Sequence, residues 1–351
     1  MAATPMASSD PGGQAPRVYV VVLNWNGWGD TIACLESLLR SDYANFRIVV
    51  CDNASTDESV DALRRWAAGE LDALPPRESR VSRCVRPPVT KPIAWYELDR
   101  EMAESGEDDD DPALTLIHTG ANLGYAGGNN IGLRYVQRRG DADYVWLLNN
   151  DTVVDAAALR HLVTRLQAAP EAGLCGSTLL DQAEPTRVQA HGGARFNPWL
   201  GTHRALGGGQ RWQGEMDAGA VERQMSYVIG ASMFASRRWL DRVGLLCEDY
   251  FLYFEEIDWA VRGRPEFTLA YAPQSLVYHK EGASTGRPER SLRADCLALR
   301  NRLRFTRNRL PWALPTVWLG LFWALINRIR RGQLDRVRPI LIILLGRSRT
   351  T

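Results

Sequence analysis

With 351 residues, 45% hydrophobic and 24% charged, the chain is long enough to bury a sizeable core and too apolar to be disordered throughout, so roughly two units are expected. A net charge of +1 argues against a protein built to bind a bulk polyanion such as nucleic acid. Six scattered cysteines with no CxxC and no zinc spacing give no disulfide or zinc framework, and Cys34, Cys51 and Cys175 read as reduced core thiols of a cytosolic protein.

Residues 1–16 are small, polar and Pro/Gly-bearing without an apolar h-region, which predicts a disordered tail rather than a signal peptide. Val18–Leu23 is a continuous β-branched apolar run, followed by a polar turn (Asn24–Asp30) and an amphipathic helix (Thr31–Arg40). Phe46–Cys51 is a second buried strand, then Asp52–Asp57 and a helix through Trp66. Residues 70–112 interrupt the rhythm with Pro-rich and then acidic sequence around a possible helix, Ile93–Ala103, and are expected to be a surface insertion, partly disordered. Leu114–Ile117 is a third strand, with Asn122–Asn130 and a helix to Arg139 after it, and Tyr144–Leu148 is a fourth. Strand, polar loop and helix in repetition predict an α/β fold with a mostly parallel central sheet, all polar loops leaving one edge.

The fourth strand stops on Asn149-Asn150-Asp151-Thr152, at the carboxyl end where open α/β sheets place ligands. A single acid beside two amides suits a hard divalent cation bridging to a diphosphate. Asp151 or Thr152 is equally suited to cap the helix expected at Ala156–Leu166. In the second half, Gly173–Leu180 predicts a fifth strand, Val188–Gly209 hairpins or a flap, Tyr227–Ala235 a strand and Arg237–Val243 a short helix. An aromatic run then leads into Glu255-Glu256-Ile257-Asp258, where crowded carboxylates would raise one another's pKa toward that of a useful base. An ordinary helical ion pair between Asp258 and Arg262 at i,i+4 also fits.

From Arg287 onward arginines dominate, flanking two apolar segments, Pro311–Ile326 and Ile340–Leu345. Both are shorter than the ~20 residues of a spanning helix. Tryptophans at the boundary and arginines on the flanks suit a segment lying in the headgroup layer of an anionic leaflet, and a buried helix pair or dimer interface fits as well.

Val20–Gly27, Asp52–Asp57, Asn122–Asn130, Leu148–Asp151 and Tyr253–Asp258 stand in the order and spacing seen in family 2 glycosyltransferases, and the chain resembles their rhamnosyltransferase-type branch over about residues 17–310, the insertion excepted. The resemblance implies a GT-A (Rossmann-like) catalytic domain over 17–285, with a nucleotide-binding half at 17–155 and an acceptor half at 156–285, and leaves 286–351 as an Arg-rich helical, membrane-associating extension. It implies inverting transfer from a nucleotide-diphospho-sugar with Mg²⁺ or Mn²⁺. Donor contacts are then expected from Asn24, Trp25 (stacked on the base), Asn26, Asp52 (on a pyrimidine N–H, or simply an Asx turn), Asn53, Asn122, Gly124, Gly128, Asn130, Asn149 and Asn150. The glycines of this loop would let backbone approach the phosphates beside a helix N-terminus, at a spacing unlike the dinucleotide GxGxxG. Asp151 matches the last acid of a DxD-like metal motif whose first position is Asn149, and His279 stands where relatives carry a metal-binding histidine. Relatives read Glu-Asp at Glu255-Glu256, so Glu256 is the expected base, with Glu255 beside it and Asp258 in reserve.

On this reading the donor is dTDP-rhamnose and the acceptor a saccharide, polyprenyl-linked, in envelope polysaccharide or O-antigen assembly. The protein would sit peripherally on the cytoplasmic face of the plasma membrane, as a monomer or homodimer. A sugar nucleotidyltransferase would need a Gly-rich basic signature that Asn24–Asp30 lacks. A non-catalytic nucleotide-sugar-binding protein stays open, because the metal and base motifs are both altered.

Overall fold

The structure, a computed structural model, describes residues 15–73, 76–77, 79–105, 111–280 and 288–345. Most of the predicted N-terminal tail and of the acidic run lies outside the described residues. The first units are β1 (Val18–Asn24), α1 (Trp28–Leu38), β2 (Phe46–Asp52), α2 (Ser59–Ala68), α3 (Ser79–Val85), β3 (Trp95–Asp99), α4 (Arg100–Ser105), β4 (Leu114–His118), α5 (Gly124–Arg139) and β5 (Tyr144–Asn149). Then come β6 (Thr152–Val154), α6 (Ala158–Gln167), β7 (Ala172–Asp181), β8 (Val188–His191), β9 (Gly193–Asn197), β10 (Thr202–Ala205), α7 (Ala218–Glu222), β11 (Tyr227–Val228), β12 (Ser232–Ser236), α8 (Arg237–Val243), α9 (Glu255–Gly263) and β13 (Thr268–His279). Three helices close the chain: α10 (Pro288–Arg309), α11 (Leu314–Arg330) and α12 (Leu334–Leu344).

The main sheet runs β3-β4-β2-β1-β5-β12-β7-β13-β6, with β8 beside β7. β1 lies between two parallel neighbours and is buried on both faces, which is why Val18-Tyr19-Val20-Val21-Val22 reads as an unbroken apolar run. Register decides where the polar tips fall. Asn24 pairs with Asp52, Asp52 with His118 and Leu23 with Asn149, so four strands end abreast on one edge. Past β5 the direction reverses: β12 is antiparallel to β5 and β7, and β6 is antiparallel to β13, with His279 opposite Thr152. That last pairing carries the end of β13 to the tip of β5, across more than a hundred residues of chain.

Three expectations are corrected. The helix expected at Ile93–Ala103 is instead a strand, Trp95–Asp99, at the sheet edge and parallel to β4 with Leu98 in the core, followed by the short helix Arg100–Ser105. The aromatic start of β3 favours a strand, and Glu97, bonded to Arg64 and His118, charges the exposed edge. Tyr227–Ala235 is two strands in two sheets, broken between Val228 and Ser232. The Asp151–Thr152 cap is absent, since β6 intervenes and Asp155 Oδ1 accepts from Ala157 N–H at 3.0 Å ahead of α6. Cys34, Cys51 and Cys175 lie buried in the core, as expected, and burial pushes the Cys34 and Cys51 thiols up to about 12.

Helices α10 to α12 pack around Leu303, Ala313, Val317, Leu321 and Ile343. Among the described residues no helix is long and apolar enough to cross a membrane. α11 nevertheless leaves Trp318, Leu319, Phe322 and Trp323 between 42% and 60% exposed, on positions spaced as one helical face.

Candidate active site

A cleft of about 460 Å³ opens over the aligned strand tips, lined by Trp25, Asn53, Asn122, Asn149, Asn150 and Asp151 on the sheet side. Phe251, Leu252, Tyr253 and His279 face them, together with Arg293, Ala294 and Leu297 of α10. The expected donor residues divide into those that face this cleft and those that build it. Asn24 is fully buried: it donates to Asp52 Oδ1 at 2.8 Å and accepts from Thr31 Oγ1 at 2.7 Å. Asp52 accepts from Ser55 Oγ (2.6 Å) and from Ser55 N–H (3.1 Å) three residues on, one residue beyond the reach of an Asx turn, and is 3% exposed. Asn26, in the left-handed region at φ 51°, accepts from the N–H groups of Thr56 and Asp57. Asn53 ties Asn122, Leu123 and Gly124 together, and Asn150 donates to Thr31 Oγ1 at 2.9 Å.

The glycine loop differs from expectation. A Cβ on Gly124, at φ 72°, would stand 2.3 Å from the Phe251 carbonyl oxygen, and one on Gly128 would stand 2.4 Å from Leu23 Cδ1. Both glycines therefore admit protein neighbours rather than phosphate. The first helical N–H groups of α5 are also engaged, Gly124 by Asn122 Oδ1 and Tyr125 by the Phe251 carbonyl. Asn130 is buried away from the cleft, bridging Leu246 and Glu248. Asn24, Asn26, Gly128 and Asn130 thus shape the site without facing it.

At the β5 tip Asp151 is 9% exposed, and its Oδ1 is buried with no hydrogen bond. His279 Nε2 lies 3.3 Å from that oxygen, without hydrogen-bond geometry. On the other side of the ring, His279 Nδ1 is 2.9 Å from Gln189 Oε1, while Gln189 Nε2 donates to the His279 carbonyl at 3.0 Å. An Nδ1–H donated to Gln189 leaves the Nε2 lone pair directed toward Asp151. An orphaned carboxylate oxygen beside an imidazole lone pair suits a divalent cation. No cluster of three or more His, Cys, Asp or Glu ligands exists among the described residues, so ligand and water oxygens would complete its shell. Sequence reading missed Gln189, which lies ninety residues from its partner. Gln189→Ala should weaken Mn²⁺ binding by about 10–100-fold, measured by calorimetry without substrate; unchanged affinity would remove Gln189 from this role.

A second hollow of about 620 Å³ adjoins the first, and Tyr253 and His279 line both. Glu256 lines this second hollow with Asp181, Gln189, His203 and Tyr227. Asp151 and Glu256 thus belong to neighbouring hollows with a shared wall. Burial pushes the Glu256 carboxyl up to about 7, and Glu255 is held well above the usual range by burial and by the Glu256 charge. Each keeps one buried carboxylate oxygen without a partner. The turn before them is strained, with Phe251, Tyr253 and Phe254 at φ 60°, 69° and 77°, on the order of 1–3 kcal/mol per residue. Asp258, the reserve base, has another employment: fully buried, it takes Arg262 Nε at 2.8 Å, Arg309 Nε at 2.6 Å and the Tyr250 hydroxyl at 3.3 Å. Both of its oxygens are thus engaged by donors within the fold, and Asp258 lines neither hollow.

The family model described as Glycosyl transferase family 2 matches residues 19–81 and 98–244, more than half of the chain, and ends before Glu255. A hexosyltransferase of low-salt glycan biosynthesis, Agl10 of Haloferax volcanii, is 27% identical over 153 residues, 44% of this chain and 47% of its own. The N-acetylglucosaminyl-diphospho-decaprenol L-rhamnosyltransferase of Mycobacterium tuberculosis is 27% identical over 199 residues, 50% of this chain and 62% of its own. The chain therefore spans less than two thirds of the length of these curated relatives. Among solved structures, GalNAc-T7 with UDP, GalNAc and Mn²⁺ superposes with a TM-score of 0.53 at 13% identity, over 85% of this chain and 48% of that one.

Proposed function

This chain belongs to glycosyl transferase family 2 and has the GT-A fold, and from that premise we propose that it moves a sugar from a nucleotide-diphospho-sugar to a hydroxyl of a saccharide acceptor, with inversion. The observation that carries this reading is the pair of adjoining hollows. One holds the unpaired Asp151 oxygen beside His279, the other holds Glu256 with its raised pKa, and Tyr253 and His279 form the partition. The donor takes the first hollow, its base against Trp25 at the rim and its diphosphate toward Asp151. The acceptor takes the second, where Glu256 removes the proton of the attacking hydroxyl. Attack from the Glu256 side, opposite the departing diphosphate, inverts the anomeric centre. Asp151 and His279 would hold Mn²⁺ or Mg²⁺, which supplies charge neutralisation for the leaving diphosphate.

For the transferred sugar we assign L-rhamnose, on the likeness to the mycobacterial L-rhamnosyltransferase, and for its carrier dTDP, on the resemblance in the sequence motifs. For the acceptor we assign a polyprenyl-linked glycan at the cytoplasmic face of the membrane. In support, α11 turns an apolar face outward, Trp199 extends that surface by packing on Trp312 at 4.6 Å, and Arg328, Arg330 and Arg331 stand at its end. A donor panel of dTDP-rhamnose, UDP-glucose, UDP-galactose and GDP-mannose, scored by thermal shift with and without Mn²⁺, tests the donor side. One donor should stabilise the protein only when Mn²⁺ is present. Transfer to a polyprenyl-linked saccharide should then be faster in anionic vesicles than in neutral ones. A panel without any metal-dependent stabilisation would sink the reading.

A further inference from the structure

Three residues with positive φ in the turn ahead of Glu255 need something to hold them, and helix α10 does so from the far end of the sequence. Asn301, Phe305 and Arg309 stand at i, i+4 and i+8, one face of that helix. Asn301 is fully buried, and its Nδ2 lies 2.6, 2.8 and 3.1 Å from the carbonyl oxygens of Tyr250, Leu252 and Tyr253. The two amide hydrogens are shared among three carbonyl acceptors, of which that of Tyr250 also takes the Leu252 N–H at 2.6 Å. Asn301 Oδ1 has no hydrogen bond, so the side chain's bonding is directed wholly at the turn. Phe305 packs on Phe254 with ring centroids 5.6 Å apart, and Arg309 grips Asp258 in the helix that carries Glu256. Opposite, the Phe251 carbonyl accepts the Tyr125 N–H at 2.6 Å, so the turn is held from both sides.

We propose that Asn301 is a positioning residue for transfer: by donating to the carbonyls of Tyr250, Leu252 and Tyr253 it fixes where Glu256 stands, which makes helix α10 a part of the active site. The proposal rests on Glu256 being the base. It assigns a function to the start of the C-terminal region beyond docking, and it explains why a buried asparagine is placed where an apolar residue would pack without an orphaned oxygen. An isosteric aspartate would set a carboxylate against three carbonyl oxygens and remove the donors without altering volume.

The test uses the full chain with Asn301→Asp, Asn301→Ala and, as a partly exposed partner on the same helix, Arg304→Ala, which loses its bond to the Asp249 carbonyl. Amide hydrogen exchange over residues 251–256 should accelerate at least about tenfold in each folded variant, while the amides of β1 and β5 keep their protection. Turnover should fall about a hundredfold in the Asn301 variants and less in Arg304→Ala, with donor affinity in Mn²⁺ falling by a smaller factor than turnover. Should either Asn301 variant fail to fold, Arg304→Ala carries the same exchange readout. Wild-type exchange over 251–256 in the folded variants, or an Asn301→Asp enzyme with turnover within about twofold of wild type, overturns the proposal. A wild-type protein without transferase activity whose variants still show the exchange change would instead overturn the function and leave the clasp standing.

Discussion

Glu256→Gln is expected to cut transfer by about a thousandfold while leaving donor affinity unchanged. A positioned general base contributes roughly 10²–10⁴-fold, and the amide keeps the volume and polarity of the side chain while losing its proton-accepting lone pair. Glu256 lines the second hollow and not the donor cleft, so the donor should bind as before. Burial fixes the accompanying pH dependence. With its carboxyl pushed up to about 7, the base is about half ionised near neutrality, so turnover should climb as pH rises through about 7 and level off beyond it.

The same shift predicts a change of opposite sign in stability. Between the unfolded glutamate value of about 4.3 and the folded value, the native chain holds a proton that the unfolded chain has released. Stability therefore declines as pH rises through that window. Glu256→Gln has no such proton to lose, so its melting temperature should exceed that of the wild type most clearly at pH values above about 7. Gain of stability with loss of turnover separates a functional carboxylate from a structural one. A variant retaining more than a tenth of wild-type turnover would move the base elsewhere.

What the sequence made legible was local. Val18–Leu23 and Tyr144–Leu148 are interior strands with core packed on both faces of the sheet, so composition alone reveals them, and Asn149-Asn150-Asp151 marks a strand tip because polarity changes abruptly there. The i,i+4 pair of Asp258 and Arg262 was equally readable, but Arg309, which completes the neutralisation of Asp258, lies 51 residues further on. Gln189 and His279 meet because β13 returns beside β7 and β6, a register no window of sequence contains. The turn at Phe251–Phe254 was hidden for another reason. Aromatic residues disfavour positive φ, so local propensity points away from the conformation that Asn301 and Tyr125 impose. α10 was assigned to the C-terminal extension by its arginines, although its buried face carries Asn301 and Phe305 against the catalytic unit.

Asp151→Asn should abolish metal-dependent donor binding and lower turnover by about a thousandfold, the scale expected when a cation's stabilisation of developing charge is lost. The side chain keeps its size, and the backbone keeps its place because Lys280 N–H donates to the Asp151 carbonyl at 2.9 Å. What changes is a formal charge on an oxygen that is buried and has no hydrogen bond, facing His279 Nε2 at 3.3 Å. In the protein alone that arrangement costs stability, since a buried carboxylate oxygen is left without a hydrogen-bond donor from the protein. The asparagine variant should accordingly melt at or above the wild-type temperature in EDTA and fail to gain stability when Mn²⁺ and donor are added, whereas the wild type should gain it. Calorimetric titration of Mn²⁺ and donor into both proteins measures this directly. If the variant binds donor with the same Mn²⁺ dependence as the wild type, the strand-tip carboxylate is not a ligand, and the unpaired oxygen has to be explained by something other than a cation held against the diphosphate.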